Sequence, residues 1–200
     1  MTKTIEHYSE KARHYYDLYN SVEAESVHSD WKAFLQTAKK GNALDVGAGS
    51  GRDANWLAKQ GWKVTASEPA DELRNLAQAN SHNSVTWCNA CLPALTALPQ
   101  QPKTYDLILL SAVWMHLPEV ERPPALKRLA ELLSENGAMY ISLRFGPNDE
   151  ARPMHPVSYE ELATLAKSIG LTARNLNPVP SQDGLKRDDV KWVTVEVVKR

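Results

Sequence analysis

The chain has little with which to brace itself covalently or anchor itself in lipid. Only two cysteines occur in 200 residues, Cys88 and Cys91, so no disulfide framework holds the fold together. No stretch approaches the roughly 20 apolar residues that a membrane span requires. The opening "MTKTIEHYSEKARHYYDLYN" also lacks the apolar core of a signal peptide. The expectation is therefore a cytoplasmic protein with no membrane contact. Excess charge of one sign is missing too: 23 basic and 24 acidic side chains give a formal net charge of −1. That balance provides no broad electropositive surface and argues against a dedicated nucleic-acid binder. Repeats, low-complexity tracts and interdomain linkers are absent. A hydrophobic share of 42% over this length fits one globular domain, residues 1–200, and leaves too little for two.

What is present alternates. Residues 8–38 carry apolar and aromatic positions at helical spacing, which predicts two helices in an N-terminal extension over 1–40. Apolar or β-branched runs then predict strands at 42–47, 62–69, 84–88, 105–114, 138–145, 171–177 and 190–199. Helices fall between them at 53–61, 71–80, from Pro118 to about 134, and at 158–170 with Ser158 as cap. Strand and helix in alternation predict an α/β fold with a doubly wound, mostly parallel, seven-stranded sheet. Residues 177–190 show no helical pattern, so the last two strands should pair antiparallel as a hairpin.

Three glycines crowd the turn after the first strand in "LDVGAGSGRDA". Without a Cβ the backbone admits a ligand closely, and the helix start behind it offers amides to negative charge. The dinucleotide fingerprint G-x-G-x-x-G, counted from Gly47, requires glycine at position 52, where Arg52 stands. Glu68 ends the second strand, where a carboxylate can accept both hydroxyls of a ribose. Asp53 reads most simply as a helix N-cap and Arg52 as a surface residue.

These segments together resemble the class I methyltransferases that use S-adenosylmethionine. "LDVGAGSGRDA" is similar to their first motif and "ASEP", with Glu68 and Pro69, to their second. "YDLILLSAVWMHLPE" is similar to the fourth-strand motif, "LLSENGAMYIS" to the elements that follow, and the terminal hairpin also belongs to that fold. The resemblance runs from about residue 42 to the C-terminus, a Rossmann-like core over 41–200. It implies S-adenosylmethionine as cofactor and S-adenosylhomocysteine as its spent form. Asp45 and the loop Gly47, Ala48, Gly49 and Gly51 would then hold the methionine portion, and Glu68 the ribose. Asn89 and Ala90 would border the adenine, with an amide at Asn89 where many relatives place an acid. Ser111 and Ala112 would present backbone beneath the sulfonium, and Tyr8 or Tyr16 would close over the cofactor.

A small-molecule acceptor is expected above the fourth and fifth strands. His116 is the candidate general base, since its unperturbed pKa lies near neutrality. Arg144, Arg152, His155 and Arg187 lie on segments able to reach the same mouth, which points to an anionic group on the acceptor. Two other readings stay open: a nicotinamide-dependent oxidoreductase, and a non-catalytic module that keeps the fold. Cys88 and Cys91 form a C-x-x-C without a second pair, so no metal site is expected. "SAVWMHLP" also lacks the Asn or Asp followed by prolines typical of methylation of nucleic-acid amino groups. The sequence gives no indication of oligomeric state.

Overall fold

Two apolar runs form the centre of the sheet. Asn42–Val46 (β1) and Tyr105–Leu110 (β4) pair in parallel, with Ala43 opposite Leu107 and Asp45 opposite Leu109. Both are buried along nearly their whole length, as strands covered on two faces must be. The computed structural model describes residues 2–199. Lys63–Ser67 (β2) and Val85–Cys88 (β3) extend the sheet on one side, and Leu133–Phe145 (β5) on the other, all in parallel. Lys191–Lys199 (β8) runs antiparallel between β5 and Leu171–Asn175 (β6), as the terminal hairpin requires.

The order is β3-β2-β1-β4-β5-β8-β6. Successive strands are added outward from β1 on one side and from β4 on the other, so the strand order switches between β1 and β4, and a crevice opens there at the carboxyl ends of the strands. An eighth strand, Ser181–Gln182 (β7), pairs with Lys191 and Trp192 of β8. The count is thus eight rather than the expected seven, because a two-residue bridge leaves no periodicity in a sequence.

Alternating side chains of the central strands bury on opposite faces. Leu44, Ile108, Leu110 and Ile141 pack with Arg122–Leu132 (α7) and Tyr159–Ser168 (α8). Ala43, Leu107, Leu109 and Tyr140 pack with Arg52–Lys59 (α5) and with Trp31 and Leu35. Ser158 caps α8 as expected, its Oγ accepting from the Glu161 amide at 3.1 Å.

The N-terminal extension divides into four short helices rather than two: Thr2–Glu10 (α1), Ala12–Asn20 (α2), Ala24–Val27 (α3) and Lys32–Thr37 (α4). No glycine or proline marks the breaks. Long-range packing accompanies them, with Trp31 stacked on Tyr140 at 4.4 Å and Tyr15 packed with Leu73 of Asp71–Ala79 (α6). The fourth strand stops at Leu110, short of residue 114, since Ala112 turns at φ +60 and Trp114–His116 form one tight helical turn. Similarly, α7 ends at Leu132 because Leu133 already belongs to β5 and pairs with Tyr105 of β4.

Candidate active site

The loop from β1 into α5 keeps its glycines bare for different reasons. Gly51 holds φ +76, and a Cβ there would lie 2.9 Å from the Trp87 ring. Packing, not a ligand, excludes a side chain at that position. At Gly49, with φ +54, a Cβ would meet nothing nearer than the Tyr19 ring at 3.8 Å, an ordinary contact, so space alone does not exclude a side chain there. The Gly49 amide donates to Glu68 Oε2 at 2.9 Å, and the Ala70 amide donates to Oε1 at 2.8 Å. Glu68 is buried; burial pushes its carboxyl up, and the two amides pull it back. Each oxygen retains a lone pair for a further donor.

Asp45 ends β1 almost wholly buried, and its Oδ2 has no partner among the described residues. Burial, the nearby Asp53 and Glu68 carboxylates raise its pKa well above the usual range, against the opposing Arg52 charge. An orphan buried carboxylate oxygen is costly unless something pairs with it.

Arg52 and Asp53 are neither surface charge nor cap. Gly51 is the residue before α5, and Asp53 is buried in its first turn. Arg52 grips Asp53 through Nε and Nη2 at 2.7 and 2.9 Å. The Nε2 of His28 stands 3.0 Å from Asp53 Oδ2, off the line of a good hydrogen bond. Burial favours protonation of Asp53, but Arg52 and His28 outweigh it and hold the carboxyl below its ordinary range. Both expectations failed because the N-terminal extension covers this turn: the Tyr19 carbonyl lies 3.5 Å from Arg52 and His28 lies against Asp53, contacts over 33 and 25 positions that no local pattern shows.

One cavity of about 290 Å3 runs along the carboxyl ends of the strands. At the loop end its wall contains Asp45, Gly47, Ala48, Gly49, Glu68 and Pro69. At the other end stand Ser111, Ala112, His116 and Arg144, joined by Arg152 and Arg187. Four of the residues expected around the cofactor stay off this wall. Gly51 packs on Trp87, and Asn89 is exposed with Nδ2 3.4 Å from Asp71. Ala90 lies in the core beside Leu92. Tyr16 packs outside with the α2 and α6 cluster, and Tyr8 and Tyr19 line the cavity in its place.

His116 is buried, with Nδ1 3.0 Å from the Pro153 carbonyl and Nε2 3.4 Å from the Tyr8 hydroxyl. A carbonyl only accepts, so Nδ1 carries the proton and Nε2 is the bare nitrogen. Burial lowers its pKa to about 4; the Pro153 bond opposes this, and the Arg152 and Arg144 charges add to it. The expected base is therefore an imidazole held neutral. Arg152 pairs with Asp149 at 2.9 Å and donates to the Tyr8 and Tyr19 hydroxyls at 3.0 and 3.2 Å. Arg187 is forked onto Asp183, with both contacts at 2.8 Å. Arg144 differs: it is 8% exposed, bonds only the Pro147 carbonyl at 2.9 Å, and its Nε lacks any acceptor among the described residues. His155 lies off the cavity, its amide bonding the Met115 carbonyl at 2.7 Å.

Similarity to known proteins follows the same lines. A family model described as a methyltransferase domain matches residues 19–181. Ubiquinone biosynthesis O-methyltransferase of Coxiella burnetii is 25% identical over 179 residues, 76% of this chain and 74% of that protein. An uncharacterized methyltransferase of Alkaliphilus oremlandii is 28% identical over 108 residues, 54% of this chain and 48% of that protein, so about half of its length is spanned. Among solved structures, the 1,6-didemethyltoxoflavin-N1-methyltransferase of Burkholderia thailandensis, with S-adenosylhomocysteine bound, superposes with a TM-score of 0.74. The identity is 20%, over 99% of this chain and 88% of that one, a likeness of fold. The matched family model spans β1 to β6, and with it Asp45, Glu68, His116 and Arg144 of the cavity wall; the chain belongs to the methyltransferase family.

Proposed function

We propose that the chain transfers a methyl group from S-adenosylmethionine to a small molecule bearing an anionic group. Support at the loop end is chemical. Asp45 Oδ2 is a buried acceptor in need of a donor, which suits the ammonium of a methionine portion. Glu68, its carboxylate fixed by the Gly49 and Ala70 amides, suits a pair of ribose hydroxyls. Ala48 and Gly49 line the cavity between these two carboxylates, Gly49 without a side chain. When bound, S-adenosylmethionine supplies a methyl group already activated on a sulfonium, so the protein's task is mainly alignment.

The residues at the other end bind and orient. The observation that carries the anionic reading is Arg144, a buried guanidinium in the cavity wall with an unpaired Nε and no carboxylate partner among the described residues. Arg152 and Arg187 are already neutralised by Asp149 and Asp183, which leaves Arg144 to take a carboxylate or phosphate. His116 holds the Tyr8 hydroxyl through its bare Nε2. Together with Arg152, this closes α1 over the cavity and keeps water out.

The test is transfer of methyl label from S-adenosylmethionine into the small-molecule fraction of a metabolite extract. Label in small acids is expected, with Arg144→Gln raising the half-saturating acceptor level about 10- to 100-fold. Label confined to protein or nucleic acid contradicts the reading. Binding of S-adenosylhomocysteine with no transfer across extracts favours the non-catalytic module.

A further inference from the structure

We propose that the methyl acceptor is an oxyanion, a carboxylate or a phosphate-type oxygen, that docks on Arg144 and is itself the nucleophile, so that the product is a methyl ester. This rests on the methyltransferase reading of the site and goes one step past it.

The geometry concerns what the acceptor end of the cavity lacks. A neutral hydroxyl becomes a good nucleophile only when a neighbouring group takes its proton. The groups flanking the three arginines are engaged: Asp30 on the cavity wall accepts the Thr194 hydroxyl at 3.1 Å, while Asp189, whose charge also acts on Arg144, is exposed and off that wall. Asp45, with its open Oδ2, stands at the loop end, where the ammonium of the methionine portion would take it. Asp183 is forked onto Arg187 and also accepts the Trp192 indole N–H at 2.9 Å. Asp149 is paired with Arg152 and accepts the Ala151 amide. The bare Nε2 of His116 faces the Tyr8 hydroxyl, whose oxygen accepts in turn from Arg152. At the loop end Glu68 is engaged by two amides, and Asp53 by Arg52 and His28.

The charge balance points the same way. Burial keeps His116 near pKa 4, against its Pro153 bond, and Arg152 and Arg144 deepen that shift. A proton released here meets guanidinium groups rather than a base. An oxyanion has no proton to lose and supplies an acceptor for the buried Nε of Arg144, which has none among the described residues.

The reaction balances without any proton transfer. A lone pair of the oxyanion forms the new oxygen–carbon bond. The carbon–sulfur bond of the sulfonium breaks, and its electron pair leaves on sulfur. The negative charge of the acceptor and the positive charge of the donor disappear together. Such charge cancellation is favoured where water is excluded.

Two measurements test this. In the first, benzoate, inorganic phosphate and benzyl alcohol are added to the protein loaded with S-adenosylhomocysteine, and thermal unfolding is followed. Benzoate or phosphate should raise the midpoint and benzyl alcohol should not. Arg144→Gln should abolish the anion effect while keeping the shift from S-adenosylhomocysteine, which shows that the variant is folded; Arg144→Lys should keep part of it.

In the second, methyl groups carrying carbon-13 are transferred into a metabolite extract and the products read by nuclear magnetic resonance. Methanol released by mild alkali identifies a carboxylate ester, and carbon–phosphorus coupling identifies a phosphate-type ester. Either result supports the proposal. Label on nitrogen, on carbon or in an ether overturns it while leaving the methyltransferase reading intact. It is also overturned if S-adenosylhomocysteine stabilises the protein and neither anion adds to that effect. If S-adenosylhomocysteine itself fails to bind, the methyltransferase reading falls first.

Discussion

At the scale of single residues, the three loop glycines show how similar letters answer to different forces. Gly51 sits in left-handed backbone against the Trp87 ring, so Gly51→Ala should cost about 1–3 kcal/mol of stability. Affinity for S-adenosylhomocysteine should change little, because Gly51 is off the cavity wall; chemical denaturation and calorimetric titration of one variant separate the two effects. The motif was legible in the sequence, but the Trp87 contact was not, since it joins positions 36 residues apart.

His116 carries a second residue-scale prediction. Its folded pKa of about 4 lies below the unperturbed 6.5, so the unfolded chain takes up a proton first as pH falls. Its contribution is fully present above pH 6.5 and is lost progressively down to pH 4, by about 3 kcal/mol in all. Urea unfolding of the wild type and of His116→Gln across that window should show the difference between them shrinking with acidity. A constant difference would mean that the imidazole titrates normally.

At the scale of elements, the N-terminal helices are fastened through side chains rather than through the sheet. Arg152, on the loop after β5, reaches the hydroxyls of Tyr8 in α1 and Tyr19 in α2, and lies over the Tyr8 and Tyr15 rings at 5.8 and 5.3 Å. Arg152→Ala removes these contacts and leaves Asp149 without its partner. Amide exchange over residues 2–20 should then quicken about 10-fold or more, the cation–π share alone reaching roughly 2 kcal/mol. The central strands should keep their protection, and uniform acceleration would contradict the assignment.

Helical spacing made the existence of this extension readable. Its division into four helices was not, because tertiary packing sets the breaks. Of the two expected aromatics, Tyr8 lines the cavity and Tyr16 does not, while Tyr19 joins the wall; helical spacing places all three on the extension without showing which ring turns inward.

Another element-scale device is Arg122 at the start of α7. Fully buried, it donates to the Leu117 and Pro156 carbonyls at 3.1 and 2.7 Å and pairs with Glu161 of α8 at 2.5 Å. It thereby ties together the two segments that carry His116 and Arg152. Arg122→Ala leaves these acceptors unmatched and should destabilise by about 3–5 kcal/mol, read as a lower denaturation midpoint at an unchanged slope.

At the scale of the whole molecule, the sequence conveyed the alternation of strand and helix, the parallel core and the antiparallel end. Those features follow from apolar periodicity and from connection length, which are local. Convergence was less accessible. Asp45, Gly49 and Glu68 meet because β1 and β2 lie side by side with Asp45 opposite Ala66, and motif spacing anticipated that. Arg144, Arg152 and Arg187 meet because β5 and β8 run antiparallel with Arg144 opposite Trp192. The sequence could suggest their meeting, but which arginine lacks an acid had to come from coordinates.

On the proposed function, the bend after β1 together with Glu68 receives an adenosine sulfonium compound. Thermal unfolding with S-adenosylhomocysteine and, separately, with NAD tests it most directly. At about 100 times its Kd, S-adenosylhomocysteine should stabilise the fold by roughly 2.7 kcal/mol, and NAD should leave the midpoint where it was. Stabilisation by NAD with none by S-adenosylhomocysteine would contradict that role of the bend.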